Sequence, residues 1–410
     1  MTVVQELFDV VVIGAGPSGA VSSALLNKKG YRVLVLEKEQ FPRFSIGESL
    51  LPQSMVFLEQ AGMLPAVEAV GFQFKNGAAF SCGGRYGFFD FKEKFSAGWE
   101  STFQVQRDKF DKVLADEATR QGVNIRYGHM VTTFKSERDT VTLDVKTEEG
   151  STYSIKANFV LDASGFGRVL PRLLNLEQPS ALVPRVSLFT HVTDNIDNSH
   201  FDRNKILITV HPEHSDIWYW LIPFSNGRAS IGVVVPQDKL ANLKGNVEMK
   251  LKELIAEAGD LPGLLNNAEY DVPVNAINGY SCDVKSLYGE RFALLGNAGE
   301  FLDPVFSSGV TIALKSASLA ADVVDRELKG LAPDWDQEFS RPLKLGVDTF
   351  REFVEGWYDG RLQDVIFAEE KSDTVKKMIC SILAGYAWDV ENPYVKEPSR
   401  LSTLAELCGG

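Results

Sequence analysis

A glycine triplet and a carboxylate downstream of it are the first residues whose types and spacing carry chemistry. Gly14-Ala15-Gly16-Pro17-Ser18-Gly19 follows the apolar run DVVVI, precedes the helix-forming stretch SGAVSSALLNKKG, and Glu37 closes the next apolar run, YRVLVLEK. Glycines so placed allow a tight turn and close backbone approach to a pyrophosphate, which the following helix N-terminus stabilises. An acidic residue about 20 positions on accepts from ribose hydroxyls. A lone triplet would be weak evidence. Here strand, turn, helix, second strand and acidic residue occur in order. The pattern predicts a dinucleotide site built from Gly14, Gly16, Pro17, Ser18, Gly19, Glu37 and Lys38.

Other chemistry finds less support. His211-Pro-Glu-His214 lacks a third ligand at zinc-like spacing and is expected to be a loop before a strand. No G-x-S-x-G elbow supports a hydrolase. Cys82, Cys282, Cys380 and Cys408 form no C-x-x-C pair, so no metal site or disulfide framework is expected, and a reducing cytoplasm fits best.

The site needs elements to position it. The run from Phe8 to Lys38 reads as a complete βαβ unit, with Gly30 at the helix C-cap. RDKFDKVLADEATRQG, from Arg107 to Gly122, places Phe110, Val113, Leu114 and Ala118 on one helical face before VNIRYG begins another strand. Residues 142–165 read as a strand meander with a polar turn at Glu148–Ser151, ending on Asp162-Ala-Ser-Gly165. VSLFTHV, KILITV, IWYWLIPF and ASIGVVV predict a largely antiparallel sheet over 185–235. Helix is expected at 243–258, and RFALLGNAG at 291–299 returns to a buried strand and glycine turn. A helix follows from Gly309 and the rest is helical.

The fold class is therefore α/β: a Rossmann-like nucleotide domain, discontinuous in sequence (1–75, 104–180 and 286–330). A substrate-side β-sheet domain (76–103 and 181–285) and a helical C-terminal region (331–410) complete it. The 410 residues carry 42 basic and 55 acidic side chains, a formal charge of −13, which argues against nucleic acid or an anionic membrane as main partner. The longest apolar runs fall short of the roughly 20 residues that span a bilayer, and the Cys408-Gly-Gly end is not a prenylation box.

The βαβ unit alone leaves NAD and FAD both open. Asp162 to Gly165 and Gly296-Asn297-Ala-Gly299 would each bring backbone donors to the same crevice. With them the chain resembles the FAD monooxygenases and halogenases that share the para-hydroxybenzoate hydroxylase-like fold. Gln104-Val-x-Arg107-x-x-Phe110-Asp111 is similar to that group's helix start, where the Arg approaches FAD. Four further segments narrow the resemblance to flavin-dependent halogenases: FPRFSIGESLLP (41–52), FKNGAAF (74–80), Trp218-Tyr-Trp220-Leu-Ile222-Pro223 and DPVFSSGV (303–310).

The resemblance implies FAD as cofactor, with Arg43, Ser49, Arg107, Asp162, Gly165, Gly296, Asn297, Pro304, Gly309 and Val310 added to the binding residues. It implies halide held by the backbone amides of Ser308 and Gly309, where a helix start favours anions. Lys75 becomes the catalytic residue, taking hypohalous acid and presenting electrophilic halogen to an aromatic substrate. Desolvation gives such a lysine access to both amine and ammonium forms. The tryptophan motif is expected to obstruct direct substrate access to the flavin, although a core ladder would explain it as well.

The expected enzyme is two-component, using FADH2, oxygen and halide on a phenol or pyrrole, free or tethered to a carrier protein. A separate reductase supplies the flavin, since no second dinucleotide fingerprint is evident. Two departures stand out. Asn297 replaces the family's usual Asp, and Glu300 puts a carboxylate where it would repel halide if it faced one. A monooxygenase or geranylgeranyl-reductase-like enzyme on the same fold, or a flavin carrier without turnover, are the rivals; halide-dependent consumption of FADH2 separates them.

Overall fold

The structure is a computed structural model that describes residues 6–196, 201–368 and 372–408; the side chains of residues 405–408, that of Cys408 among them, and the final two glycines lie outside it. Two sheets organise the chain. In the first, five strands run parallel in the order Phe292–Leu294, Thr152–Asp162, Leu7–Ile13, Val33–Glu37 and Asn124–Tyr127. Val10, Val11 and Val12 are fully buried although successive residues face opposite sides, because helices cover both faces of a central parallel strand. The 291–299 segment thus joins the N-terminal βαβ unit from the far side of the chain, as its apolar pattern predicts. Val141–Thr147 and Thr152–Asp162 form the expected hairpin around the turn at 148–151.

The second sheet has seven strands, in the order Asn275–Asn278, Arg185–Thr193, Arg228–Pro236, Trp218–Pro223, Lys205–Val210, Gly77–Cys82 and Arg85–Asp90. All pairs are antiparallel except Lys205–Val210 with Gly77–Cys82. Its side chains alternate strictly. Trp218, Trp220 and Ile222 join the core shared with the first sheet, whereas Tyr219 and Leu221 pack with Leu251, Leu254 and Ile255 of the helix Val247–Ala256. One face therefore looks toward the nucleotide layer and the other is sealed by its own helix.

Helices Arg341–Tyr358, Arg361–Phe367 and Asp373–Leu383 close the C-terminal side. The last lies over residues 91–99: Phe95 N–H donates to the Lys377 carbonyl at 3.0 Å and Ser96 N–H to Ser381 Oγ at 2.8 Å. No helix among the described residues is long and apolar enough to cross a membrane. The His211 and His214 rings lie 4.8 Å apart at a tilt of 39°, and His211 Nδ1 accepts from the backbone amides of Glu213 and His214 at 3.1 and 3.2 Å. That is loop-building, and among the described residues no group could hold a metal ion.

Candidate active site

A cleft of about 330 Å³ runs along the C-terminal ends of the parallel strands and under the second sheet. This is where ligands bind in open α/β sheets. Gly14, Gly16, Pro17, Ser18, Glu37, Lys38 and Arg43 line one part, and Trp218, Trp220, Ile222, Phe189 and Ile206 line another, apolar and aromatic.

The glycine turn works as its spacing requires. Gly14 has φ +96°, and a Cβ there would lie 2.6 Å from the Ala163 carbonyl oxygen. A Cβ on Gly19 would meet the Gly14 carbonyl oxygen at 2.0 Å, so this glycine lets the helix pack on the turn. At Gly16, by contrast, the nearest atom is Arg43 Nη2 at 3.5 Å. Its Cβ would project into space that a ligand needs. Glu37 is spent partly on the turn: one oxygen accepts from Ala15 N–H at 2.9 Å and the other from Glu39 N–H at 3.0 Å. Both oxygens retain a lone pair for ribose.

Arg107 is no solvated helix-entry charge. It is 8 % exposed, chelated by Asp111 through Nε at 2.7 Å and Nη2 at 3.0 Å, and it donates to the carbonyls of Ile46 and Gly47. It pins the segment 43–49 across the cleft, and Arg43 joins the same carboxylate at 3.3 Å.

Ser49, Gly165, Asn297, Pro304, Gly309 and Val310 also line the cleft, but four expected residues stand behind its walls. Gly19 is one. Asp162 is fully buried and its carboxylate accepts from Ser164 N–H and Leu170 N–H, so it shapes the turn instead of meeting a ligand. Gly296 has φ +51° and donates to Ser316 Oγ at 2.9 Å. The Ser308 side chain is 2 % exposed, which leaves only its backbone for the anion role. Helix Ser308–Leu328 begins there, directly after Ser307 at φ 56°, and its first N–H groups lack intrahelical partners.

Glu300 is not among the residues lining the cleft, and its carboxylate forms an ion pair with Arg351 from the helix Arg341–Tyr358. Both partners come from segments far apart in sequence, which is why position in the loop alone misleads.

Sequence reasoning passed over the polar ladder behind the tryptophans. Trp218 Nε1–H donates to Tyr358 Oη at 2.8 Å, Tyr358 O–H to Asp303 Oδ2 at 2.9 Å, and Tyr280 O–H to the same oxygen at 3.2 Å. An indole N–H can only donate, so the direction of the chain is fixed and Asp303 ends it as the acceptor. Burial raises the Asp303 pKa, opposed by these hydroxyls and by Arg185, whose guanidinium lies 3.3 Å from the Tyr358 ring centre. Trp220 donates to Ser230 Oγ at 3.0 Å, and Gly232 opposite leaves room for its ring. Phe44, Phe189, Ile277 and Phe301 also line the cleft and carried no signal beyond apolarity.

Lys75 lies outside the cleft but close behind it. Gln73–Lys75 pairs with Thr102–Gln104, and Ser49 bridges to Gln104 on the other edge. Directly opposed residues share a face, so Lys75, Thr102, Gln104 and Ser49 all project to one side. Lys75 is fully buried; its Nζ donates to the Leu50 carbonyl at 2.7 Å and sits 5.4 Å from the Phe91 ring centre. Burial alone pushes its pKa down to about 7. On the same face Ser49 Oγ, Thr102 Oγ1 and Gln104 Oε1 are buried without hydrogen-bond partners. Such atoms call for a small polar guest.

These features define a flavin cleft with a buried amine behind it, and the chain belongs to the FAD-binding domain family, whose model matches residues 7–258. It is an FAD-dependent oxidoreductase. A flavoprotein/dehydrogenase of known structure from Cytophaga hutchinsonii is 44 % identical to it, with a TM-score of 0.95 over 98 % of this chain and 99 % of that one. The flavin-dependent brominase Bmp2 is 25 % identical, with a TM-score of 0.83 over 98 % of both chains. The 1H-pyrrole-2-carbonyl-[peptidyl-carrier protein] chlorinase of Pseudomonas fluorescens is 28 % identical over 86 % of this chain and 83 % of its own length.

Proposed function

We propose that this protein is a two-component halogenase that takes FADH2 from a separate reductase and uses oxygen and halide to halogenate a phenolic or pyrrolic substrate. The carrying observation is the placement of Lys75: a fully buried lysine whose pKa burial pushes down to about 7, on the face shared with Ser49, which lines the flavin cleft. In this reading the cofactor, when bound, supplies reduced flavin and its reaction with oxygen. Gly14, Gly16, Pro17, Ser18, Glu37, Lys38, Arg43, Ser49, Arg107, Gly165, Asn297, Pro304, Gly309 and Val310 hold it. The first amides of the helix Ser308–Leu328 hold halide by their dipole.

In this reading the buried, unpartnered oxygens of Ser49, Gln104 and Thr102, which share the face of Lys75, would receive hypohalous acid on its way to that amine. Trp218 and Trp220, held from behind, keep the substrate from the flavin itself. The name of the Pseudomonas relative supports a pyrrole on a carrier protein as one substrate form, and the Cytophaga relative's name sets the competing outcome, dehydrogenation.

The test supplies FADH2, oxygen and bromide or chloride with a panel of phenols and pyrroles, free and as carrier thioesters. Halogenated masses are expected from the unmodified protein. Lys75→Ala is expected to consume FADH2 at an unchanged rate and form no halogenated product, and Lys75→Arg to fail likewise because guanidinium stays charged. Halogenation surviving in Lys75→Ala removes Lys75 from the mechanism. Hydroxylated or desaturated products from the unmodified protein would overturn the assignment.

A further inference from the structure

The ladder behind the tryptophans lines up two indoles, a phenol and a carboxylate, more than is needed to hold the indoles in place. Trp220 lines the cleft at 5 % exposure, and its ring centre lies 5.9 Å from that of Trp218. Trp218 Nε1–H donates to Tyr358 Oη at 2.8 Å, and Tyr358 O–H to Asp303 Oδ2 at 2.9 Å. Tyr358 ends the helix Arg341–Tyr358 and is only partly buried, and Asp359 after it is exposed. The line therefore runs outward from the wall of the cofactor's cleft.

Each joint suits electron transfer. Indole and phenol rings are among the side chains most easily oxidised by one electron, and rings this close exchange electrons without touching the oxidant. Trp220 donates to Ser230 Oγ, a hydroxyl too weakly basic to take its proton, so a hole on Trp220 keeps its charge and moves on. Trp357, next to Tyr358 in sequence, is fully buried and its indole N–H has no partner among the described residues, so a hole there has nowhere to shed a proton. Tyr358, by contrast, bonds a carboxylate. Burial raises the Asp303 pKa and makes that carboxylate a readier base. Arg185, 3.3 Å from the Tyr358 ring centre, disfavours positive charge on the ring, so the electron leaves together with the proton.

We propose that Trp220, Trp218 and Tyr358 conduct an oxidising equivalent out of the cleft, and that Asp303 takes the proton that Tyr358 releases. The oxidant is a one-electron acceptor in the cleft, oxidised FAD excited by light. One electron leaves Trp220 for it, one passes from Trp218 to Trp220, and one from Tyr358 to Trp218. The Tyr358 O–H bond breaks, its proton goes to Asp303 Oδ2, and a neutral tyrosyl radical remains. An external reductant such as ascorbate then returns one electron to Tyr358, and Asp303 returns the proton. The net change is one electron carried from the outside reductant into the cleft. This activity needs bound FAD but neither halide nor Lys75, so it stands apart from the function proposed above.

The test illuminates the FAD-loaded protein with blue light, without halide or substrate, and follows protein radicals by transient absorption and, after freezing, by electron paramagnetic resonance. The unmodified protein is expected to give a neutral tyrosyl radical that forms more slowly in heavy water than in ordinary water and disappears on adding ascorbate. Tyr358→Phe is expected to lose that radical and show a tryptophanyl radical instead. Trp218→Phe loses it because the line is broken, and carries the prediction should Tyr358→Phe not fold. Tyr280→Phe, which removes the other hydroxyl on Asp303, is expected to keep it. A tyrosyl radical that survives in Tyr358→Phe or in Trp218→Phe would overturn the proposal. Absence of any protein radical in the unmodified protein would do the same and leave the ladder as a support for the tryptophans.

Discussion

Replacing Lys75 by Met should make the protein more stable at neutral pH and less so at alkaline pH, and the reversal follows from the geometry. An unfolded lysine holds its proton up to about 10.5, whereas the buried one lets go near 7. Between those values the unfolded chain binds more protons, so the stability of the unmodified protein rises with pH, by about 1.4 kcal/mol per unit. At and below pH 7 the full penalty applies, about 5 kcal/mol as an order of magnitude. Methionine removes it. Against this, the substitution loses the hydrogen bond to the Leu50 carbonyl, and leaving that buried oxygen unpaired costs about 1–3 kcal/mol.

The net expectation is a gain of about 2–3 kcal/mol at pH 7 that vanishes and turns negative by about pH 9.5. Urea unfolding of the flavin-free protein and of Lys75→Met at pH 7.5 and 9.5 measures it. The difference between the two proteins should change by about 3 kcal/mol across that interval. A difference independent of pH would show that Lys75 is hydrated or permanently charged, and the case for a neutral amine behind the flavin would fall with it.

Gly16→Val should fold and lose FAD, because its side chain enters the cleft, whereas Gly14→Ala should lose stability as well, since its Cβ meets the Ala163 carbonyl oxygen; flavin absorbance and thermal melts distinguish the two, and a folded Gly16→Val with bound flavin contradicts the cradle. Gly232→Ala should destabilise by about 1–3 kcal/mol in urea unfolding, because its Cβ would lie 2.3 Å from the Trp220 ring. NADH or NADPH alone should not bleach the bound flavin anaerobically at a useful rate; rapid bleaching would favour a single-component enzyme.

The nucleotide half of the fold was legible because its signals are local. Gly14 to Gly19 and Glu37 lie within one βαβ unit, and their roles follow from backbone φ, helix dipole and spacing. Lys75 was legible only through resemblance. Its sequence neighbours, Phe74 and Asn76, mark it as an ordinary strand residue, and nothing local says that Thr102 will stand opposite it or that Leu50 will offer its carbonyl. Glu300 shows a related limit: what a carboxylate in a loop faces is not written in the loop, and its partner Arg351 comes from a helix distant in sequence. The ladder Trp218, Tyr358 and Asp303 was illegible for the same reason, since each member comes from a different element.

Two demands meet on the segment 43–50. The flavin cleft needs polar groups and fixed dipoles for an anionic cofactor, whereas Lys75 needs burial away from carboxylates, because a carboxylate beside it would favour the ammonium form. The chain meets both by running one extended segment between them. Arg107 ties its start at Ile46 and Gly47; Ser49 and Leu50 are fixed by the strand 102–104, and Leu50 turns only a carbonyl toward the lysine. A carbonyl accepts from either an amine or an ammonium, so it orients Nζ without supplying the full countercharge that a carboxylate in the same place would.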